Sequence, residues 1–367
     1  MRMFERLSKH EFIIIFLASF VWRIYLLYVE FASSFLIPQK TSPLFNNPWT
    51  NFDGAHYLSI AKDGYLGSEQ AFFPLFPFLI GIVSRNFDIP FDVVGLLLVN
   101  LSFAFMVTYF YMLLKLDYKK NVIFYSFAFF LFFPTSFFFG AIYTESLFLA
   151  LLFSSIYYAR RKKFILSAIL AAFASAARLV GIFIPIFLFY EYFRSKEKNK
   201  LNLASIILIP PFGIASFMYY LYSKFGDPFL FISSVSSFGE QRDIGNLTLL
   251  PQVVWRYLKI FIISDKTFAY YLSVFEFTIF FLVLFLIYYA WRRKVRFSYI
   301  IFSLIVLILP TLTGSFSSVP RYALGAFAVF IALALIKNVK VKVMLLTIGF
   351  IIQFFLAVYF LQGYFVS

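Results

Sequence analysis

Long apolar stretches separated by short polar ones are the first regularity in this chain. Runs of roughly 20 apolar positions recur from residue 11 onward, and a helix of that length crosses the ~30 Å hydrocarbon layer of a bilayer. About eleven such segments are present, at roughly 11–31, 90–114, 121–138, 145–159, 164–177, 180–193, 201–223, 268–290, 298–313, 321–336 and 341–361. They predict an all-α polytopic membrane protein with about eleven transmembrane helices. Residues 164–193 predict a hairpin of two short helices, since basic clusters flank both ends. The stretch "AFFPLFPFLIGIVS" (71–84) is too short and too broken by proline to span, and reads as a re-entrant or interfacial piece. The first segment, with its length of about 21 residues and its internal Arg23, reads as a retained anchor rather than a cleaved leader.

Composition agrees: 62% of residues are apolar, 23% aromatic and 13% charged, and the mean hydropathy is +0.87, far from a water-soluble domain. No charged or Gly/Ser-rich stretch is long enough for a separate soluble domain, so 1–367 reads as one unit. The absence of cysteine excludes disulfides, thiolate metal sites and thiol nucleophiles. A net charge of +15 would suggest nucleic acid in a soluble protein. Here the cations cluster between apolar segments, at Arg2/Arg6/Lys9, Lys115/Lys119/Lys120, Arg160–Lys163, Arg194/Lys196/Lys198/Lys200, Arg292/Arg293/Lys294/Arg296 and Lys337/Lys340/Lys342. The positive-inside rule assigns these clusters to the cytoplasmic face, which puts the N-terminus inside and the C-terminus outside and leaves no role for nucleic acid. The outer face then receives loops 32–71, 134–144, 224–267 and 314–320. With the re-entrant piece, the first outer loop covers 32–84.

The outer loops hold the candidate chemistry. In "NFDGAHYLSIAKDGYLGSEQAFFPLFPF", Asp53 and His56 are three apart and share a face of a helical turn. A carboxylate there can take a proton from a bound hydroxyl; a solvated loop carboxylate beside a turn histidine is the plain alternative. Asp63 and Glu69 read as solvated. Glu145 stands at the outer start of an apolar helix, facing a cavity, a partner or the headgroups, or stabilising the N-terminus of its own helix. Arg178, in "AAFASAARLVGIFIPIF", is costly in lipid, and the small residues around it permit close packing. Its guanidinium suits bidentate phosphate binding, with an ion pair to Glu145 as the structural alternative. Arg321, in "SSVPRYALGAF", is a second phosphate candidate or snorkels to headgroups. The 224–267 loop reads as a substrate cover or a connector, ending in an interfacial helix.

The chain has no Walker A run, no GxGxxG after a strand and no Asp-x-Asp pair. Nothing therefore indicates a nucleotide or a metal-held nucleotide sugar, and any donor is expected to be lipid-borne. Two histidines, one in the N-terminal tail, cannot build a His-rich metal centre.

Taken in order, "FDGAHYLSIAKDGY", "FFPLFP", "FFPTSFFFGAIYTESLFLALLF", "AARLVGIF", "FGDPFLF" and "PRYALGAF" resemble the PIG-V family of mannosyltransferases. That family includes the enzyme adding the second mannose in glycosylphosphatidylinositol assembly, with prokaryotic homologues, and belongs to the GT-C superfamily. The resemblance runs from about residue 50 to 330. It implies a GT-C-type bundle with a catalytic first outer loop, a polyprenyl-phosphate donor, usually dolichyl-phosphate mannose, and transfer on the non-cytoplasmic side to a glycan or glycolipid acceptor. No cofactor is expected. It makes Asp53 the catalytic carboxylate, though Phe52 stands where a Trp usually precedes it. His56 joins Asp53 as a catalytic candidate, and Arg178, Arg321, Glu145, Tyr143 and Tyr322 are the substrate-binding ones. A polytopic transporter or flippase, with Arg178 and Glu145 lining its path, is the competing class.

Overall fold

Every regular element in the computed structural model, which describes residues 8–43, 45–196, 198–237 and 248–366, is helical. Arg2 and Arg6 of the first basic cluster and positions 238–247 of the long loop lie outside the described residues. The first half of the chain contains α1 Lys9–Leu36, α2 Asp53–Asp63, α3 Leu75–Phe87, α4 Phe91–Lys115, α5 Lys120–Leu131, α6 Glu145–Arg160, α7 Phe164–Ala177 and α8 Ile184–Arg194. The second contains α9 Lys200–Leu208, α10 Pro211–Phe225, α11 Leu230–Ser233, α12 Leu250–Ile263, α13 Phe268–Arg292, α14 Phe297–Ile308, α15 Val319–Tyr322, α16 Ala328–Ala334 and α17 Val339–Leu361.

Five of these are long and apolar enough to cross a membrane: α1, α4, α9 with α10 taken together (Lys200–Phe225), α13 and α17. Shorter apolar helices are α3, α5, α7 and α14 with its extension to Thr313. The segments expected, about eleven, are thus more unequal than the sequence suggested, and proline is a main reason. Pro210 and Pro211 divide the segment expected at 201–223, and Pro310 ends the regular part of α14, because proline removes a helix donor and clashes with the preceding turn. The segment expected at 321–336 becomes α15, a short 3-10 turn and α16; α16 is nearly all buried and belongs to the core. The hairpin expected at 164–193 forms as α7 and α8, joined by the 3-10 turn Leu179–Phe183.

The polar residues gather at two ends. At one, the backbone amide of Ile142 donates to the Trp49 carbonyl (3.0 Å) and that of Thr248 to the Leu312 carbonyl (3.3 Å). The Thr135 hydroxyl donates to the Pro320 carbonyl (2.7 Å), and the Ser234 hydroxyl lies 3.4 Å from Gln70 Oε1. The described parts of all four loops read as outer therefore meet. At the other end, Arg160 holds Asp117 through two bonds of 2.6 and 2.7 Å, Arg296 pairs with Glu191 and Lys115 with Glu11. Helix α6 joins the two ends, starting at Glu145 and finishing at Arg160, about 22 Å apart at 1.5 Å per residue. Its buried residues between them include Phe148, Leu149, Leu152, Phe153 and Ile156.

Candidate active site

Asp53 is the first residue of α2, and the chain is braced to deliver it there. Asn47 caps the turn Pro48–Thr50 by accepting from the Trp49 amide, and the Trp49 indole donates to Glu30 (2.8 Å). The Asn51 amide group donates to the Phe360 carbonyl at the end of α17 (2.9 Å). Phe52 then takes φ 58°, ψ −118°, a conformation that L residues rarely adopt and that persists only when the surroundings impose it. Its ring is wedged against Phe360 (5.9 Å) and Phe365 (5.4 Å).

Three further elements converge on Asp53. Glu145 opens α6, where the unpaired amides of a helix N-terminus favour a carboxylate. Arg178 follows the last residue of α7 in an extended conformation, so it sits at a helix break rather than within a helix. Gly181 turns the chain back under it; a Cβ there would lie 2.5 Å from the Ala174 carbonyl oxygen. Arg321 lies in α15, after Ser318 in the left-handed region (φ 64°) and Pro320.

The four charged groups alternate in sign. Arg178 Nη1 is 2.5 Å from Glu145 Oε1, Arg321 Nε is 3.4 Å from the same oxygen, and Arg321 Nη1 is 2.6 Å from Asp53 Oδ2. Aromatic faces enclose the guanidinium groups. Tyr322 lies 5.4 Å from that of Arg178 and 5.5 Å from that of Arg321, and Tyr143 lies 5.3 Å from that of Arg321, distances at which a ring face attracts a cation. The Tyr143 hydroxyl donates to the Asn51 carbonyl (2.9 Å), which ties this wall to the Asp53 turn. Side-chain exposure grades along the cluster, from 3% at Glu145 and 9% at Arg321 to 17% at Arg178 and 27% at Asp53. Asp53 and Arg178 are therefore the most accessible members. Among the described residues, Glu145 Oε2 and Arg321 Nε, both buried, have no hydrogen-bond partner.

The geometry decides between several of the alternatives. Arg321 is buried against two carboxylates and does not snorkel. Arg178 forms the ion pair with Glu145. Asp63 is exposed, as expected. Glu69, read as solvated, is 8% exposed: its carboxylate is 3.3 Å from His56 Nδ1 and accepts the Leu66 amide (3.2 Å), contacts that offset the cost of burying it. His56 does share a helical face with Asp53, but its ring is turned to Glu69 and stacked on Phe72 at 5.0 Å.

Beside the cluster lies a cavity of about 650 Å³ between α2, α3, α7 and α10. Ile60, Phe78, Phe173 and Phe212 line it, with Arg85 and Tyr65 among the few polar groups. Burial holds the Tyr65 phenol well above its ordinary range, so it stays a neutral donor, bonded to the Phe72 carbonyl (2.8 Å). Ala176, on the cavity wall, precedes Arg178 by two residues.

A partly exposed carboxylate, two guanidinium groups and an adjoining apolar cavity can take up a proton, bind an anion and accommodate hydrocarbon. Residues 22–313 match the family model described as Mannosyltransferase (PIG-V). Searches of curated proteins and of solved structures return no match.

Proposed function

The chain belongs to the PIG-V family of mannosyltransferases, and from that premise we propose that it moves a mannosyl group from a polyprenyl-phosphate donor to a glycan or glycolipid acceptor, with inversion, on the non-cytoplasmic face of its membrane. The observation that carries this reading is the convergence of Asp53, Glu145, Arg178 and Arg321 from four distant parts of the sequence.

Each group has a place in one displacement. The acceptor oxygen forms a bond to the sugar C1 as the bond from C1 to the donor phosphate breaks, and Asp53 takes the acceptor proton. Arg178 and Arg321 hold the departing phosphate, whose charge grows as the bond breaks, and guanidinium forks match its oxygens. Glu145 holds the two arginines together, Tyr143 and Tyr322 wall them in, and His56 touches the acceptor. The cavity along α7 suits the hydrocarbon chain of a lipid-linked substrate. A transport path would need charged or strongly polar groups between the two charged ends, where α6 buries apolar side chains, three serines and Tyr157.

The test is transfer of radiolabelled mannose from dolichyl-phosphate mannose to glycolipid and glycan acceptors by the protein reconstituted in vesicles. Mannose appearing in the acceptor is expected. Movement of intact donor across the bilayer without transfer would replace this reading with a flippase.

A further inference from the structure

We propose that one side of α1 is a docking surface for a transmembrane helix of another protein, a helix that carries a carboxylate level with Arg23. Nothing in the mannosyl-transfer reading requires this surface, and either can fail alone.

Helix α1 packs through Ile15, Trp22, Leu26, Val29 and Ser33. It leaves a broad outward face to lipid, where Leu17, Val21, Leu27 and Phe31 are all exposed. Between the two faces run Ser19, Arg23, Glu30 and Ser34, none of them buried. Spacings of four, seven and four residues keep these on one side of a helix, where a neighbouring membrane helix can reach polar groups. Three of the four are already engaged. Glu30 accepts the Trp49 indole (2.8 Å), and the Ser19 and Ser34 hydroxyls donate to the Ile15 carbonyl (2.7 Å) and the Phe31 carbonyl (2.9 Å). The Arg23 guanidinium differs: among the described residues it makes no hydrogen bond or ion pair, and its nitrogens are not sealed away. It lies against Gly140, where a Cβ would collide with Nη1. The group is therefore held on one side and reachable on the other.

Depth identifies the counter-charge. Glu11, paired with Lys115, and Glu30 mark the ends of the apolar part of α1, about 28 Å apart at 1.5 Å per residue and close to the ~30 Å of hydrocarbon in a bilayer. Arg23, two turns short of Glu30, lies about 10 Å inside that boundary. Lipid phosphates sit outside the boundary, whereas a carboxylate on a helix can be set at any depth, and an arginine within the hydrocarbon calls for such a partner. A second copy of this chain does not supply it. A two-fold axis along the membrane normal sets equal depths against each other and would bring Arg23 to Arg23, while Glu145, Glu191 and Glu276, the acids sunk among the helices, are buried.

The probe is a dansylated, leucine-rich transmembrane peptide with one Glu set at the depth of Arg23, compared with Gln and Leu at the same place, in phosphatidylcholine vesicles that hold the protein. Energy transfer from the chain's tryptophans, of which Trp22 adjoins Arg23, reports association. The Glu peptide is expected to bind about 10-fold more tightly than the other two, the low end for a close charge pair. Arg23→Leu should remove that preference, and Arg23→Lys should keep much of it. Ser19→Phe, which fills the polar side of α1, should weaken binding, whereas Ile24→Phe, on the exposed face, should not. The comparison of the three peptides on the wild type needs no variant to fold. Equal binding of the three, or a preference for Glu that survives Arg23→Leu, would overturn the proposal. So would retention of phosphatidylglycerol that depends on Arg23 without any preference for Glu, which would make Arg23 a site for lipid phosphate.

Discussion

Asp53 meets Arg321 at 2.6 Å, and the two residues are separately testable. Asp53→Asn preserves shape but cannot take a proton, so turnover should fall by ~10²–10⁴-fold while dolichyl-phosphate affinity is retained; near-normal turnover would remove Asp53 from the chemistry. Arg321→Ala removes the buried cation between Asp53 and Glu145 and should cost about 3–5 kcal/mol on thermal unfolding. Arg321→Lys, which keeps the charge but loses the fork that bridges Asp53 and Glu145, should cost less. Arg178 is the sharper question, because its pair with Glu145 satisfies a purely structural role as well. If phosphate binding is its task, Arg178→Ala with Glu145→Ala should recover stability without recovering donor affinity; recovery of both would assign it to the scaffold. Glu145, Arg178 and Arg321 stood out in the sequence because a charge in an apolar setting needs a reason, whereas Asp53, in a polar loop, was singled out as catalytic only through the family resemblance. Glu69 was not, since a carboxylate in a polar loop looks solvated until tertiary contacts bury it. Nor was the Asn51 bond to Phe360, which joins positions 309 residues apart.

At the scale of elements, α6 links two charged clusters that the sequence presents as unrelated. The cluster at its far end joins the turn after α4 to α6, α8 and α14: Arg160 bonds Asp117 and the Tyr299 hydroxyl (2.7 Å), and Glu191, 3% exposed, takes Arg296 and the Ser298 hydroxyl (2.8 Å). Glu191→Ala would strand a partly buried guanidinium and is expected to destabilise the protein by about 3–5 kcal/mol. Donor affinity should hold in the fraction that remains folded, since the candidate site is about 22 Å away along α6. Thermal unfolding and dolichyl-phosphate binding measured on the same preparation check this, and a parallel loss of affinity at temperatures well below unfolding would show that the two ends are coupled. Helix α7 was legible to its last residue because basic residues bound one end and Arg178 the other. The breaks within 201–223 and 321–336 were not. Apolar periodicity continues through both, and the interruptions are set by proline geometry and by the close packing of α15 and α16 against the core.

For the molecule as a whole, the proposed chemistry requires one compartment for the entire candidate site, and the fold makes that requirement strict. Gln70 in the first loop touches Ser234 in the long loop, so the two loops cannot lie on opposite sides of a membrane. The cluster around Arg160 lies one helix length away, and in the positive-inside reading it faces the cytoplasm. A chain without cysteine is a clean background for labelling. Single changes Ser68→Cys, Ser236→Cys and Lys162→Cys place a thiol near each end, and Ser236 and Lys162 are exposed. With an impermeant maleimide added outside intact cells, Ser68→Cys and Ser236→Cys should react, and Lys162→Cys should react only after permeabilisation. Each variant must retain mannosyl transfer for its result to report on the active form, and none of the three positions touches the charged cluster. The reverse pattern, with Lys162→Cys labelled from outside, would move the site to the cytoplasmic face.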